Sequence, residues 1–286
     1  MAQIIDGKAL AATVRARAAR EAADLQDRGV PCGIAVVLVG DDQGSATYVR
    51  AKLRDCEECG IPSRDYKLPA TTSQDELMVL IAELNADDSI AGILVQMPLP
   101  SHLDAEAVVT AIDPAKDVDG FHPENLGRLV RGLPGLRPCT PAGIMEMLDA
   151  YDIDPAGKNA VIVGRSSIVG KPMSMMLLAR NATISVAHSH TDPRELARIC
   201  QSADILVAAC GIPKMIKGPW IKPGATVIDV GMDRDEQGKL CGDVDFDSAE
   251  LVAGAITPVP GGVGPMTRAM LMSNVVLAAR MAEAGR

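Results

Sequence analysis

A tyrosine and a lysine stand four positions apart in the segment S-A-T-Y-V-R-A-K, which covers residues 45–52. In a helix this spacing places Tyr48 and Lys52 on one face, with their Cβ atoms about 5–6 Å apart. A lysine amine is one of the groups that enzymes use to move protons. The structural alternative is a lysine whose stem simply lies along a half-buried ring. The pair is therefore a candidate catalytic site with a packing role as the alternative.

The same Tyr-x-x-x-Lys spacing is the catalytic signature of short-chain dehydrogenases. In those enzymes a glycine-rich nucleotide loop lies near the N-terminus, and the Tyr-Lys pair follows far downstream. Here the glycine-rich loop comes after Lys52, more than a hundred residues further along the chain. This reversed order argues against a short-chain dehydrogenase.

The glycine-rich loop is V-I-V-G-R-S-S-I-V-G-K-P, residues 161–172, between a predicted strand and a predicted helix. Such a loop binds phosphate through backbone N–H groups at a helix N-terminus. Gly164 and Gly170 act as the first and a later glycine of a dinucleotide motif, whereas Ser166 stands at the second. The loop is not a P-loop, which needs a shorter glycine spacing and a hydroxyl residue after the lysine. It predicts a dinucleotide site, with an ordinary strand-to-helix turn as the alternative.

The residues after the next predicted strand favour NADP over NAD. NAD sites usually place an acidic residue there, on the ribose hydroxyl. Here the strand ends in H-S-H-T, residues 188–191, and the nearest acid, Asp192, is better explained as a helix cap. Arg165 adds a cation within the loop. A cation and polar groups without an acid suit a 2′-phosphate, although a pocket of serine and histidine also accepts NAD.

Three further segments carry polar or rigid groups. Gln96 ends a buried strand, where ligands of open α/β sheets bind, although it is equally well a solvent-facing strand end. The acid-rich segments at residues 117–125 and 243–248 lack the calcium-loop spacing of glycine and final glutamate, so calcium is rejected. A loop carboxylate can instead accept two N–H bonds from a flat heterocycle. The run T-P-V-P-G-G-V-G-P-M-T, residues 257–267, is a rigid ligand-facing loop or a hinge.

Composition excludes several classes of protein. The chain has 286 residues, a net charge of −9, and aromatic residues make up only 2%. An acidic chain does not favour nucleic acid, and the apolar stretches are too short for a membrane helix. The segment M-A-Q-I-I-D-G-K-A-L lacks the pattern of a signal peptide, which predicts a cytoplasmic protein. Seven scattered cysteines, including C-E-E-C at residues 56–59, indicate neither disulfides nor a metal site.

Hydrophobic patterns and caps predict alternating helices and strands, and therefore a parallel sheet with helices on both faces. The first group of elements comprises helices over 6–28, 45–59, 73 onward and 104–112, and strands over 34–39, 63–68 and 90–96. The Pro- and Gly-rich stretch 131–141 marks a boundary. The second group comprises helices over 142–151, 171–179, from 192, and 266–284, and strands over 160–163, 183–187, 205–209 and 226–230.

Six segments together resemble the bifunctional methylenetetrahydrofolate dehydrogenase and methenyltetrahydrofolate cyclohydrolase family over essentially the whole chain. They are S-A-T-Y-V-R-A-K, G-I-L-V-Q-M-P-L-P, K-D-V-D-G-F, P-C-T-P-A-G, V-G-R-S-S-I-V-G-K-P and T-P-V-P-G-G-V-G-P-M-T. The resemblance implies an α/β fold with a folate-binding catalytic domain over 1–140 and 265–286, an NADP-binding Rossmann domain over 141–264, and a last helix returning to the first domain. It also implies a homodimer that serves one-carbon metabolism and purine biosynthesis.

The resemblance implies roles for individual residues. Lys52 is the catalytic lysine of the cyclohydrolase step, Tyr48 orients the substrate, Gln96 hydrogen-bonds Lys52, and Asp119 binds the pterin ring. The loop residues Pro260, Gly261 and Gly262 border the folate. The NADP contacts implied are Gly164, Arg165, Ser166, Gly170, Ser189 and Ile212. No metal is implied.

One departure and two alternatives accompany this resemblance. His190 stands where many members carry lysine or arginine, and a histidine is only partly charged near neutral pH. A dehydrogenase-only relative is the first alternative, and the retained set of Tyr48, Lys52 and Gln96 argues against it. The second is a regulator that binds folate or nucleotide without catalysis, which would be expected to have lost the catalytic side chains.

Overall fold

The structure is a computed structural model and describes residues 1–285. The first half of the chain forms β1 (Gln3–Ile4), α1 (Gly7–Asp27), β2 (Gly33–Val39), α2 (Gln43–Glu58), β3 (Ser63–Leu68), α3 (Gln74–Ala86), β4 (Ile90–Val95), α4 (Ala105–Ala111) and α5 (Pro123–Val130). The second half forms α6 (Cys139–Ala150), β5 (Asn159–Val163), α7 (Gly170–Ala179), β6 (Thr183–Ala187), α8 (Pro193–Gln201), β7 (Ile205–Ala208), a 3-10 turn (Gly218–Trp220), β8 (Thr226–Asp229), β9 (Asp233–Arg234), β10 (Leu240–Cys241), α9 (Phe246–Glu250), β11 (Ala255–Ile256) and α10 (Val263–Ala284).

The chain divides into two compact units. The three-stranded unit comprises Ala12–Cys139 and the described residues from Arg268 onward, and the six-stranded unit comprises Met1–Ala11 and Thr140–Thr267. Helices α1 and α10 each contribute residues to both.

The three-stranded unit is built on a parallel sheet in the order β3-β2-β4. Strands β2 and β4 are buried along their whole length, as their continuous apolar sequences require. The helix α3 begins at a capping box in which Ser73 and Glu76 exchange side-chain and backbone hydrogen bonds. Its buried face packs on the sheet with Leu77, Ile81, Leu84 and the inward residues of β2 and β4.

The six-stranded unit has a sheet in the order β1-β11-β8-β7-β5-β6, with every pair parallel. A two-stranded antiparallel hairpin, β9-β10, stands apart from it. Strands β7 and β8 are fully buried, whereas β6 lies at an edge of the sheet and only its last residue, Ala187, is buried. An unpaired strand edge of this kind leaves backbone donors and acceptors available to another chain.

The predicted elements are present with ends that differ by a few residues. Two differences are larger. Helix α6 begins at Cys139, three residues before the prediction, and the short elements α5, α9, β1 and β9 to β11 were not predicted. In the structure Met1–Ala11 group with the six-stranded unit, where Gln3 and Ile4 pair in parallel with Ala255 and Ile256 of β11. The predicted bounds of the two functional domains stay a prediction.

Across residues 1–285, no helix combines the length and the apolar character that crossing a membrane requires.

Candidate active site

Helix α2 carries Tyr48 and Lys52 in the three-stranded unit. The helix starts at Asp42, whose carboxylate accepts a hydrogen bond from the backbone N–H of Ser45 at 2.7 Å. Lys52 donates from Nζ to Oε1 of Gln96 at 3.0 Å. The side chain of Tyr48 is half-buried, and this burial raises the pKa of its phenol while the charge of Arg268 opposes the rise. The lysine amine is thus held at one defined acceptor beside a partly desolvated ring.

Gln96 follows directly after β4 and has little freedom to turn. Its backbone N–H donates to the carbonyl of Val37 in β2 at 2.8 Å. Its side-chain Nε2 donates to the carbonyl of Met97 at 2.6 Å. Because the amide nitrogen is engaged there, the amide oxygen faces Lys52. The strand end and the side-chain bond together fix where the lysine amine lies.

Asp119 lies in a tight turn that runs along the outer edge of β4, where Asp117 bridges Ile93 in parallel. The buried carboxylate of Asp117 accepts from the N–H groups of Gly120 at 3.1 Å and His122 at 2.8 Å, and so closes the turn. Gly120 has a φ of +76°, which a glycine adopts without strain. Burial raises the pKa of the Asp119 carboxyl, and the nearby charge of Lys52 counteracts this rise. Asp119 and Lys52 therefore influence each other electrostatically within one site.

Asn274 in α10 stabilises the turn that contains Asp119, and the sequence analysis did not predict this role. Its buried amide donates to the carbonyls of Val118 and Arg137, both at 2.8 Å. Its third contact is the sulfur of Cys139 at 3.5 Å. The signal available in the sequence was a single amide within the otherwise apolar run M-L-M-S-N-V-V-L-A-A. Buried polar groups of this kind are almost always hydrogen-bonded, and here the bonds position the residue that precedes Asp119.

A second charged group on α2 is Asp55, which is buried beside two arginines. Arg268 approaches its Oδ2 at 3.2 Å, and Arg15 approaches its Oδ1 at 3.8 Å. Burial raises the pKa of Asp55, while both guanidinium groups lower it. Asp55 therefore offsets part of the positive charge that Arg268 brings near Tyr48.

The glycine loop of the six-stranded unit joins β5 to α7 and needs both glycines. A Cβ on Gly164 would lie 2.1 Å from the carbonyl oxygen of Ala209, and one on Gly170 would lie 2.2 Å from that of Gly164. Ser166, at the place of the second motif glycine, turns its hydroxyl back toward the helix. Its Oγ accepts from the N–H groups of Val169 at 3.1 Å and Gly170 at 3.3 Å. The serine thus gives the loop a different path from that of a G-x-G-x-x-G motif.

A groove of about 250 Å³ opens beside this loop. It is lined by Val163, Gly164, Arg165, Ser166, His188, Ser189, Leu196, Ala209, Cys210, Ile212 and Met215. Of the six predicted NADP contacts, Gly164, Arg165, Ser166, Ser189 and Ile212 line it, and Gly170 begins the adjoining helix. His188, Leu196, Cys210 and Met215 were not predicted, because their place in the groove depends on how the strands are ordered in the sheet.

The acid nearest to the end of β6 is engaged elsewhere. Asp192 caps α8 by accepting from the N–H groups of Arg194 at 2.9 Å and Glu195 at 3.4 Å. The predicted helix cap is confirmed. The donor set at this end of the groove, with Arg165 and Ser189 and no ribose-binding acid among its lining residues, fits a nucleotide that carries a 2′-phosphate.

The loop with Pro260, Gly261 and Gly262 lies in the six-stranded unit. Gly261 has a φ of +110° and its carbonyl accepts from the N–H of Lys8 at 2.9 Å. The backbone of Gly262 lies so close to α1 that a Cβ on Gly7 would meet its oxygen at 1.9 Å. The loop packs closely against the start of α1, and both its rigidity and its contact with folate stay predictions. Within the described part of the chain, no cluster of His, Cys, Asp or Glu side chains is arranged to hold a metal ion.

Two family models match successive parts of the chain. The tetrahydrofolate dehydrogenase/cyclohydrolase catalytic domain matches residues 5–119, and the corresponding NAD(P)-binding domain matches residues 138–283. The Bifunctional protein FolD of Anaeromyxobacter dehalogenans is 59% identical to this chain. The alignment covers 98% of this chain and 99% of the relative. The chain belongs to the tetrahydrofolate dehydrogenase/cyclohydrolase family.

Solved structures of tetrahydrofolate dehydrogenase/cyclohydrolase family members have the same fold as this chain. The bifunctional FolD methylenetetrahydrofolate dehydrogenase/cyclohydrolase of Campylobacter jejuni superimposes with a TM-score of 0.96 at 47% identity, covering 99% of this chain and 100% of that one. The Trypanosoma brucei enzyme, solved with NADP and an inhibitor, gives a TM-score of 0.94 at 38% identity, covering 99% and 98%. The predicted family and its α/β fold with a Rossmann domain are confirmed. The prediction of an NADP-dependent methylenetetrahydrofolate dehydrogenase with cyclohydrolase activity is confirmed as well.

Proposed function

We propose that Lys52, Gln96, Tyr48 and Asp119 carry the folate chemistry of both reactions. In the first, 5,10-methylenetetrahydrofolate is oxidised to the 5,10-methenyl cation. In the second, water opens that ring to give 10-formyltetrahydrofolate. The observation that supports this best is the 3.0 Å bond from the Lys52 amine to Gln96, beside the Asp119 carboxyl with which the amine interacts.

Asp119 is proposed to bind the pterin. The ring of a tetrahydrofolate presents two N–H groups side by side, as a guanidinium does, and a carboxylate accepts both. The turn around Asp119 is held by Asp117 and Asn274, so the carboxylate is positioned before substrate arrives. The ring of Tyr48, which is 39% exposed, offers a flat apolar surface on the helix face that also carries Lys52, which suits the aromatic middle of the substrate.

Lys52 is proposed to serve the hydrolysis. Water adds to the bridging carbon of the methenyl cation and loses a first proton. The bond from that carbon to N5 then breaks: the added hydroxyl loses its second proton as it becomes the formyl C=O, and N5 takes up a proton. The product is the N10-formyl compound, and one proton is released overall. The Lys52 amine, which lies 3.0 Å from Oε1 of Gln96, accepts the proton of the attacking water as a general base. Gln96 keeps the amine in place throughout.

The oxidation needs less acid–base catalysis from the side chains than the hydrolysis does. A bound nicotinamide nucleotide supplies the hydride acceptor, and hydride transfer needs positioning more than acid or base. Arg165, Ser166 and Ser189 supply a guanidinium and hydroxyls along the groove, and the two glycines let the backbone come close. We propose that these residues hold NADP, with Arg165 and Ser189 at the 2′-phosphate. The exposed His190 follows Ser189 in the chain.

The direct test of this function is a single assay. Purified protein receives 5,10-methylenetetrahydrofolate and NADP⁺, and NADPH and 10-formyltetrahydrofolate are followed together. We expect both to rise, with NAD⁺ a much poorer acceptor. Accumulation of the methenyl compound alongside NADPH would remove the proposed role of Lys52, and absence of both products would contradict the catalytic role of the whole set.

Replacing Arg165 with alanine should weaken NADP far more than NAD. A charge-assisted bond to the 2′-phosphate is worth about 1.5–3 kcal/mol, so the KM for NADP should rise on the order of 10-fold to 100-fold. The KM for NAD should change little, because NAD lacks that phosphate. Steady-state kinetics with both nucleotides measures the difference. Arg198→Ala removes an exposed arginine of α8 that pairs with Glu195 and serves as control; equal losses for NADP and NAD in Arg165→Ala would refute the assignment.

We further propose a homodimer formed through the six-stranded unit. Strand β6 is the free edge of its sheet. Val186 on this strand is 41% exposed and Leu178 at the end of the adjoining α7 is 52% exposed. An apolar strand edge of this kind pairs readily with a second copy.

The replacement Val186→Lys should separate the proposed dimer. A lysine on an edge strand blocks pairing with another strand, because its charge must stay in water. Sedimentation velocity is expected to show a dimer for the wild type and a shift toward monomer for the variant. Val79→Lys changes a valine that is 59% exposed on α3 in the other unit and should leave the assembly unchanged. A wild-type monomer, or a Val186→Lys dimer of unchanged strength, would contradict the interface.

Finally, we propose that the protein works in the cytoplasm and supplies one-carbon units to purine biosynthesis. The support is the family relationship with bacterial bifunctional enzymes. Fractionation of cells that express the tagged full chain tests the first part, and purine dependence after deletion of its gene tests the second.

A further inference from the structure

Asp243 is a completely buried carboxylate that binds one short segment of backbone. Its residue has 0% of its surface exposed. Oδ2 accepts from the N–H groups of Cys210 at 2.7 Å and Gly211 at 3.2 Å, and Oδ1 accepts from that of Ile212 at 2.9 Å. Three consecutive N–H groups thus point at one carboxylate. Such bonds to an ionised group are among the strong ones in proteins.

This segment, Cys210–Ile212, forms part of the nucleotide groove. It follows β7 at the carboxyl edge of the sheet, where ligands of such folds bind. Cys210 and Ile212 line the groove together with Arg165 and Ser189. Ile212 is 48% exposed and Gly211 has a φ of +68°. Asp243 accepts from all three N–H groups of this segment, and the carbonyl of Ile212 accepts from the N–H of Met215 at 3.3 Å.

A second carboxylate holds Asp243 itself in place. Asp229, at the end of β8, accepts from the N–H groups of Asp243 at 2.9 Å and Val244 at 3.0 Å. Its approach is so close that a Cβ on Gly242 would lie 1.9 Å from its Oδ2. Burial raises the pKa of Asp229 to about 7, although its backbone hydrogen bonds oppose this rise. Two buried acids in series therefore join the sheet to the groove segment.

We propose that Asp243 is a positioning residue for the nicotinamide nucleotide: it fixes the segment Cys210–Ile212 and so sets the affinity for NADP and NAD alike. This rests on the proposed use of the groove for the nucleotide. The N–H and C=O of a peptide unit point in opposite directions, so fixing three N–H groups also fixes the carbonyls of this segment. The carbonyls fixed in this way are those of Ala209, Cys210 and Gly211, one residue before each N–H group, and Ile212 is held as part of the groove wall.

The replacement Asp243→Asn tests the inference with almost no change of shape. An asparagine has one acceptor oxygen in place of two, so its NH2 group must face at least one backbone N–H. The lost bonds to a charged group should raise the Kd on the order of 10-fold to 100-fold. We expect this rise for both NADP and NAD in calorimetric titrations, unlike the selective loss expected for Arg165→Ala. Cyclohydrolase activity on supplied methenyltetrahydrofolate should stay within about 2-fold of wild type, because that reaction needs no nucleotide.

Two matched variants complete the test. Asp247→Asn makes the same charge change at an exposed position four residues along and should bind both nucleotides like wild type. Should Asp243→Asn fail to fold, Gly211→Ala strains the same segment, since a φ of +68° disfavours alanine and nothing else lies within 4 Å of the new atom. Gly157→Ala, with a φ of +71° and equal space, is its control.

Gly211→Ala should weaken both nucleotides several-fold relative to Gly157→Ala. Unchanged affinities in folded Asp243→Asn would overturn the inference, and so would unchanged affinities in Gly211→Ala. A wild-type protein that binds no NADP would instead refute the proposed function of the groove, and calorimetry on the wild type reveals this before any variant is compared.

Discussion

The replacement Lys52→Met should abolish cyclohydrolase activity and leave the affinity for NADP unchanged. Methionine has a similar length and fills the same space, but it has no group that accepts a proton from water. General base catalysis typically contributes 10²–10⁴-fold, so kcat for the hydrolysis should fall by at least about 100-fold. NADP is proposed to bind residues of the six-stranded unit, which does not include Lys52. The expected result is a protein that binds nucleotide normally and cannot hydrolyse the methenyl compound.

Hydrolysis is measured on methenyltetrahydrofolate supplied directly, and NADP affinity by calorimetry. In the coupled assay, any dehydrogenase turnover that remains should now accumulate the methenyl compound. Lys67→Met makes the same change at a lysine whose side chain is 69% exposed on β3 and should behave as wild type. If Lys52→Met hydrolyses the methenyl compound at the full rate, Lys52 has no part in the step, and its bond to Gln96 serves only packing.

The order of elements was predictable because local patterns determine it. The continuous apolar sequences of β2 and β4 and the capping box at Ser73 each depend on neighbouring residues alone. Lys52 and Gln96 were brought together only by the family resemblance, since they lie 44 positions apart. Hydrophobic patterns predicted that Lys52 lies on a helix and Gln96 at the end of a strand. The spacing of the two residues did not predict the hydrogen bond between them.

Other parts of the site could not be predicted from the sequence. Asn274 contacts Val118 over a separation of 156 positions. The segment around Asp243 has no local pattern that predicts its role, because its three partners lie more than thirty positions away. The N-terminal strand β1 is two residues long and forms only because β11 accepts it as a neighbour. Each of these depends on which segments the sheet places side by side.

The replacement Asp119→Ala should remove both activities at ordinary substrate concentrations, through the binding of folate. Two charge-assisted bonds to the pterin, each worth about 1.5–3 kcal/mol, are lost together. The KM for both folate substrates should therefore rise by about 100-fold or more, while the Kd for NADP stays unchanged. The KM values are measured from initial rates at rising concentrations of methylene- and methenyltetrahydrofolate. If neither KM nor kcat moves in either reaction, the pterin lies elsewhere.

Stability separates this role of Asp119 from a structural one. Burial raises the pKa of its carboxyl, which means that the free protein holds the ionised group at a cost, so Asp119→Ala should melt no lower than wild type. Its neighbour Asp117 should give the opposite result, because its carboxylate accepts from Gly120, His122 and Asn125. Asp117→Ala removes all three of these bonds and takes away the carboxylate that the N–H of His122 donates to, so it should lower the melting temperature clearly. Asp119 would then be needed for activity but not for stability, which is the behaviour expected of a substrate-binding residue.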